Sequence, residues 1–173
     1  MADSIFLSPA GGESLIHQAT VVLTDAQIKT MTDPGVLFEV VEAPGANKIL
    51  LIESVFMVSD LISGYVLPSN TGFLTVVYGE YLDDAATKCN ADELLTVAGR
   101  FAYLLPLMGA PSVGHELDVY WGPVETLANS IDQALKVYAE SPAPYTWTGG
   151  NIANTLTVTV AYLVLNLTTG LFE

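Results

Sequence analysis

The carboxy-terminal part of the chain contains a long alternating segment at residues 155–165. Apolar side chains occupy every second position, and threonines with one alanine fill most of the positions between them. This period of two is typical of a half-buried antiparallel β-strand. The set predicted to point toward a core is Leu156, Val158, Val160, Tyr162 and Val164. The opposite set is only mildly polar, so that side of the strand can face either solvent or another protein.

Shorter segments with strand patterns recur along the chain and are separated by turns rich in Gly and Pro. The predicted strands are residues 20–23, 36–41, 48–58, 73–78, 117–121 and 133–139. Residues 101–108 fit a strand or a buried loop, and residues 83–86 begin a polar connection. Short strands without regularly alternating helices predict an all-β, antiparallel sandwich or barrel.

Two local motifs refine this prediction. Thr24 and Gln27 have the spacing of a capping box, which predicts a brief helix that ends before the Asp33-Pro34-Gly35 stop. The segment 43–47, Ala-Pro-Gly-Ala-Asn, predicts a turn, because Pro presets φ and Gly supplies a left-handed position. We therefore expect one or two short helices inside a β domain.

Charge and hydropathy exclude two classes of partner. Five basic residues face nineteen acidic ones, and the net charge of −14 repels nucleic-acid phosphates and anionic lipids at long range. The longest apolar stretch, residues 49–62, is interrupted by Glu53 and Asp60, so no segment approaches the length of a membrane span. We expect neither a nucleic acid nor a membrane as a partner.

Size and composition predict one domain that associates with other copies. With 173 residues, the chain is long enough for one β-sandwich domain, assigned to residues 19–173. A hydrophobic fraction of 51% with few charges predicts apolar surface buried between subunits, and we expect a homotrimer.

The amino-terminal residues 1–18 have the composition of an extended arm, and no signal peptide is expected there. Apolar residues of this arm have no evident place in the barrel, and we expect them to bind a partner. They are Ile5, Phe6, Leu7, Leu15 and Ile16.

No residue pattern points to catalysis or to a cofactor. Cys89 lies in a polar stretch without a histidine nearby in sequence, and we interpret it as inert. His115-Glu116 beside Asp118 is a candidate metal cluster, but a solvated turn explains it better. The acidic pairs 83–84 and 92–93 lack the regular ligand spacing of a calcium loop. A small metal-dependent enzyme remains the third and weakest hypothesis.

Two aromatic groups, Tyr120-Trp121 and Tyr145 with Trp147, can form a stacking platform for sugars or fill a core and an interface. The sequence Pro142-Ala143-Pro144 favours an extended loop immediately before the second group. Tyr145 and Trp147 therefore mark the best candidate tip for a ligand.

Three segments together resemble a family of small jelly-roll-type structural proteins of tailed bacteriophage virions. They are TVVLTDAQIK at residues 20–29, APGANKIL at 43–50 and TGGNIANTLTV at 148–158. The resemblance implies a jelly-roll sandwich, with a strand at residues 133–139, where the sequence pattern alone also allows a helix. It also implies a role as a capsid decoration (cement) subunit, or as a component of the tail or neck.

The combined expectation is a non-enzymatic virion protein without cofactors. It would be made in the host cytoplasm and would bind the major capsid protein or other virion proteins. Because fourteen excess negative charges are unfavourable beside packed DNA, the capsid exterior is the expected location. The alternative hypothesis is a tail or neck component with a carbohydrate-binding or receptor-binding β-sandwich.

Overall fold

The computed structural model describes residues 15–31, 36–66, 73–79, 85–90, 94–106, 130–140 and 147–173. One short helix, α1 (Asp25–Thr30), follows the first strand. The strands are β1 (His17–Thr24), β2 (Phe38–Val41), β3 (Lys48–Leu61), β4 (Tyr65–Val66), β5 (Phe73–Tyr78), β6 (Ala85–Asn90), β7 (Gly99–Pro106), β8 (Leu135–Glu140), β9 (Thr148–Gly149), β10 (Thr155–Asn166) and β11 (Leu171–Phe172).

The strands form two main antiparallel sheets, which we call sheet A and sheet B. Sheet A has the order β1-β10-β3-β7, with β11 added to the end of β10. Sheet B has the order β2-β8-β5-β6, and β4 pairs with β9 in a small separate ribbon. The chain is therefore an all-β sandwich of antiparallel sheets, as its sequence predicts.

Strand β10 has the predicted inward face over its first half. Leu156, Val158 and Val160 are each 0% exposed, because they point from sheet A toward sheet B. Past Ala161, Tyr162 and the residues that follow are only partly buried. The alternation thus specifies the strand over its whole length, whereas full burial is limited to its first half.

A β-bulge in β3 keeps the inward faces of the two central strands matched. Ala161 of β10 pairs with Ser54, but Tyr162 pairs with Ile52, which leaves Glu53 as the extra residue. Inward residues of β3 consequently have even numbers before the bulge, as at Ile52, and odd numbers after it. Without this shift, one half of β3 would direct its apolar side chains to solvent.

Residues from both sheets and from α1 form one hydrophobic core. Its fully buried members include Ile28 of α1, Met57 of β3, Leu135 of β8 and the adjacent Leu94 and Leu95. A fully buried side chain of this size contributes about 1.5–3 kcal/mol relative to an exposed one. Sheet packing therefore dominates the stability of the sandwich, and helix α1 acts as one more covering element.

The local motifs predicted around the first helix and turn are present. The capping box at Thr24 is formed, with the Thr24 N–H donating to Gln27 Oε1 at 3.0 Å. Helix α1 has six residues and ends before residues 32–35, so its predicted stop lies outside the described residues. In the turn before β3, Gly45 and Asn47 have φ values of +98° and +61°. The Lys48 N–H donates to the Gly45 carbonyl at 3.1 Å, which closes this turn.

Several boundaries differ from the sequence prediction. Residues 85–86 begin strand β6 instead of a polar connection, because β6 pairs with the edge of β5. Residues 99–106 form strand β7, which resolves the choice between strand and loop, and β8 confirms the strand expected at 133–139. Strand β1 begins at His17, so the last two residues assigned to the arm are paired with β10. The strand predicted at 117–121 lies outside the described residues.

Candidate docking surface

The predicted partner-binding residues of the arm lie at or beyond the start of the described chain. Leu15 and Ile16 are partly buried and directly precede β1. The other three, Ile5, Phe6 and Leu7, lie outside the described residues. Their role as a partner-binding segment stays a prediction.

The assignment of Trp147 to an exposed ligand tip is wrong. Its side chain is 2% exposed and belongs to the hydrophobic core. Its ring packs 6.3 Å from the ring of Tyr65, at an interplanar angle of 44°. A buried indole cannot offer its face to a sugar, so Trp147 stabilises the fold. Tyr145, the other residue of this tip, lies outside the described residues.

Beside Trp147, a polar network ties α1 to the strands. The Tyr65 hydroxyl donates to Asp25 Oδ1 at 3.0 Å, and Lys29 Nζ donates to Asp25 Oδ2 at 2.8 Å. Burial raises the pKa of Tyr65 to about 12; the nearby Asp25 carboxylate raises it further, and the hydrogen bond with Asn154 lowers it in part. At neutral pH the phenol is therefore protonated and serves as a donor. These contacts explain why the Asp25 carboxylate can be buried, so no bound ligand is needed to explain it.

Asn154 continues this network at the same end of the sandwich. It is 0% exposed, its Oδ1 accepts the Ile62 N–H at 2.8 Å, and its Nδ2 donates to the Ser63 carbonyl at 2.7 Å. Both bonds join the start of β10 to the end of β3, so Asn154 has a structural role.

The residues considered for metal binding or catalysis contribute no described site. The cluster 115–118 and the acidic pairs 83–84 and 92–93 lie outside the described residues. For Cys89, the structure places the backbone in β6. Within the described part of the chain, no group of three or more His, Cys, Asp or Glu side chains is arranged to hold a metal ion. The described part of the chain also contains no helix of the length and apolarity needed to cross a membrane.

A cavity of about 500 Å³ lies at the end of the sandwich where β1 begins. Its rim is polar: His17 Nε2 lies 2.9 Å from the Glu173 backbone oxygen, and Lys48 Nζ forms an ion pair with the Glu173 carboxylate. Hydrogen bonds from Lys48 and Asn166 lower the pKa of that carboxyl. The floor is apolar and consists of Ala19, Val40, Val41, Leu50, Tyr162 and Val164. Because its polar groups already pair with one another, the rim presents no converging set of free donors to a ligand.

The outward side of sheet A is an exposed surface without charge across its middle. Val22 on the edge strand is 54% exposed and Phe56 on a central strand is 40% exposed. The remaining positions are small or β-branched and uncharged. We call this surface the threonine face and define it by Thr20, Val22, Phe56, Val58, Ala102, Thr157 and Thr159.

Strand register aligns the threonine face in cross-strand rows. Thr157 pairs with Val22 on one side and with Val58 on the other, so these three side chains form one row. In the adjacent row, the hydroxyls of Thr20 and Thr159 are hydrogen-bonded at 2.9 Å. Because these two hydroxyls already bond to each other, burying them under a partner costs less desolvation free energy.

Charged residues border these rows at both ends. At one end Asp60 of β3 lies opposite Arg100 of β7. At the other end the bulge residue Glu53 lies next to Ser54 on the outward side of β3. In a chain with a net charge of −14, an uncharged four-stranded surface between these borders is a local exception. Such a surface can approach another macromolecule without long-range repulsion.

Sheet B differs, because the outward side of its central strands β5 and β8 is mostly buried. On the side that faces away from the core, Thr75 and Val77 are 0% exposed and Tyr138 is 8% exposed. The threonine face is therefore the sheet surface that the described structure leaves open to solvent.

The sequence pattern identifies only one strand of the threonine face. Alternation in β10 marks Thr157 and Thr159, but nothing local indicates that Val22, Phe56 and Val58 share their side. The register across β1 and β3 assembles the surface, and the Glu53 bulge changes which β3 residues belong to it. Odd or even position along each strand predicts which residues belong to the threonine face only when the Glu53 bulge is taken into account.

No protein-family model, curated protein or solved structure matches the chain.

Proposed function

We propose that the chain is a non-enzymatic structural protein of a tailed-phage virion, and that it decorates the outside of the capsid. The observation that carries the proposal is the threonine face, an exposed and uncharged sheet surface on a strongly acidic protein. A decoration subunit needs a surface of this kind, because it must lie flat against protein while remaining soluble. The resemblance of residues 20–29, 43–50 and 148–158 to virion proteins supports the same assignment.

We further infer that the sandwich is a jelly roll. A jelly roll has eight strands that pair antiparallel in a nested order. Strand one pairs with strand eight, two with seven, three with six, and four with five. With the short β4, β9 and β11 set aside, the eight remaining strands pair as β1 with β10, β2 with β8, β3 with β7 and β5 with β6. All four pairs are antiparallel, which supports the inference.

The charge distribution favours the outside of the shell over its interior. The net charge of −14 would face a high density of phosphate inside a filled head. On the outside, the acidic surface points to solvent and keeps decorated particles apart. The neutral threonine face then remains the side that contacts the capsid.

The area of the threonine face indicates that it does not act alone. Four strands about 4.8 Å apart and two uncharged rows about 7 Å apart span roughly 270 Å². A standard protein interface buries about 800 Å² per partner. Further contacts are therefore needed, and the predicted arm with Ile5, Phe6 and Leu7 is one source of them.

The carbohydrate-binding alternative loses its main residue. Its best candidate tip was Tyr145 with Trp147, and the indole of Trp147 is buried. The other aromatic group, Tyr120-Trp121, lies outside the described residues. Loss of glycan binding in a Trp147→Ala variant would report unfolding as readily as a lost ligand contact, so that variant does not distinguish the two functions.

The test compares two variants that each replace one partly or fully exposed threonine with a carboxylate. Thr157→Glu introduces the charge at the centre of the threonine face, and Thr168→Glu introduces it in the turn after β10. Each purified protein is added to particles that lack the chain, and binding and heat release of the genome are measured. We expect Thr157→Glu to weaken attachment at least about tenfold, because its carboxylate would be desolvated in the interface. Thr168→Glu should bind and protect particles like the unaltered chain.

Equal attachment by both variants would contradict the proposal, as would particles whose heat stability does not change when the unaltered chain binds. Circular dichroism of both variants before the assay establishes that neither substitution changes the fold.

A further inference from the structure

The two sheets have four edge strands, and three of them carry features that oppose pairing with another chain. Strand β2 has four residues, a register irregularity and Glu39. Strand β6 has a register irregularity and Lys88 in its sequence. Strand β7 has Arg100 near one end and Pro106 at the other. Charges, prolines, bulges and short length are the usual means by which proteins prevent edge-to-edge association.

Strand β1 is the exception. Its eight residues, HQATVVLT, contain no proline and no acidic or basic residue other than His17. Its register with β10 runs without interruption from Thr24 to His17. Among the described strands, none pairs with its outer edge. A regular, neutral, partly apolar edge of this length is a template for one more strand.

We propose that the outer edge of β1 pairs with β1 of a second copy, antiparallel and across a two-fold axis. A second copy fits because the neutral edge meets an identical neutral edge, whereas β2, β6 and β7 of the same copy carry features that oppose pairing. Two chains of charge −14 approach each other at lowest cost where both surfaces lack charge. An isologous contact of this kind closes with two copies.

The alternation of β1 restricts the register of this pairing. Ala19, Val21 and Leu23 point to the core, and Thr20 and Val22 point outward. A register that keeps inward residues opposite inward residues places the two-fold axis on a residue of β1, and Thr20 and Val21 at the middle of the strand give the longest overlap. Both registers continue sheet A through the contact as one sheet with the central order β10-β1-β1-β10.

This pairing would also join two threonine faces into one surface. The combined uncharged area is then roughly 540 Å², about two thirds of what one partner contributes to a standard interface. That consequence rests on the proposed function, whereas the strand contact itself depends only on β1. The pairing predicts dimers of the isolated chain, whereas the composition alone led us to expect trimers.

Single-cysteine variants in a Cys89→Ser background test the contact on the isolated protein. A residue on the two-fold axis lies about 4.5–5.5 Å from its copy between Cα atoms, within disulfide range. Under mild oxidation we expect Thr20→Cys or Val21→Cys to form a disulfide-linked dimer. Thr157→Cys, on the threonine face but in an interior strand, is the matched control. It should form at least about tenfold less dimer, because no second copy holds its thiol nearby.

Failure of both β1 variants to cross-link above the level of Thr157→Cys would overturn the pairing. Efficient cross-linking of Thr157→Cys would indicate stacking of sheet faces and would overturn it as well. Sedimentation of the unaltered chain must show dimers, and monomers or trimers alone would contradict it. Since these measurements use no particles, the strand pairing and the attachment tested by Thr157→Glu can fail independently.

Discussion

The fold contains a buried hydroxyl whose removal should stabilise the protein. Thr75 on β5 is 0% exposed, and within the described part of the chain its Oγ1 has no hydrogen-bond partner. A buried hydroxyl without a partner costs about 1–3 kcal/mol, and a methyl group in its place gains about 0.8 kcal/mol of burial. Thr75→Val preserves the shape and the β-branch, so no cavity opens. We expect the free energy of unfolding to rise by about 1–3 kcal/mol, which corresponds to a Tm increase of roughly 2–10 °C.

The measurement is urea unfolding followed by far-ultraviolet circular dichroism, with the slope m compared between variants. Thr20→Val is the matched control, because it makes the same change where the hydroxyl is exposed and bonded to Thr159. That change should stay within about 0.5 kcal/mol. Ser59→Ala, the other buried hydroxyl without a partner, should also stabilise, but by less, because alanine fills less space than valine. If Thr75→Val is no more stable than Thr20→Val, the hydroxyl is satisfied and the reasoning fails.

Three further predictions follow from the core, the tyrosines and the arm. Trp147→Ala should cost about 3–5 kcal/mol of unfolding free energy, whereas Ile152→Ala, at a site that is 91% exposed, should cost less than about 0.5 kcal/mol; a loss below about 1 kcal/mol for Trp147→Ala would contradict its burial. Burial raises the pKa of Tyr65 and of Tyr78 to about 12 from 10.0, so the folded state holds these protons more tightly than the unfolded state. The contribution of these tyrosines to stability should therefore be constant below about pH 10 and fall between about pH 10 and 12, by at most about 1.4 kcal/mol per pH unit for each tyrosine, and Tyr78→Phe should flatten the decline of the urea midpoint. Deleting residues 1–16, which spares β1, should leave the melting transition nearly unchanged but weaken attachment to particles; a truncated chain that fails to fold, or that binds fully, would contradict the arm assignment.

The strand that sequence predicts best is the one whose alternating side chains follow from having one buried side. Strand β10 alternates over twelve residues, so its direction and inward face follow from the period of two. The capping box at Thr24 and the turn at Gly45 are also specified locally, because short-range hydrogen bonds and φ preferences determine them. Such features need no knowledge of the neighbouring strands.

The features that sequence missed depend on neighbouring strands. Strand β6, AATKCN, has little β-propensity, yet it pairs with β5 because that edge is available. The bulge at Glu53 has no local marker, and it appears only when β3 is aligned with β10. Trp147 follows a Pro-rich segment typical of an exposed loop, but packing against Tyr65 buries it. The threonine face was missed in part for the same reason, since its rows cross several strands.

The central claim is that the threonine face binds the outside of a capsid. Electron cryomicroscopy of virions that contain the chain tests it most directly, because the sandwich can be fitted and the side that contacts the shell identified. We predict density for the chain on the outer capsid surface, with sheet A against the shell and Thr157 and Val58 within the contact. Density inside the head or confined to the tail, or a contact made through sheet B with the threonine face open to solvent, would contradict the claim.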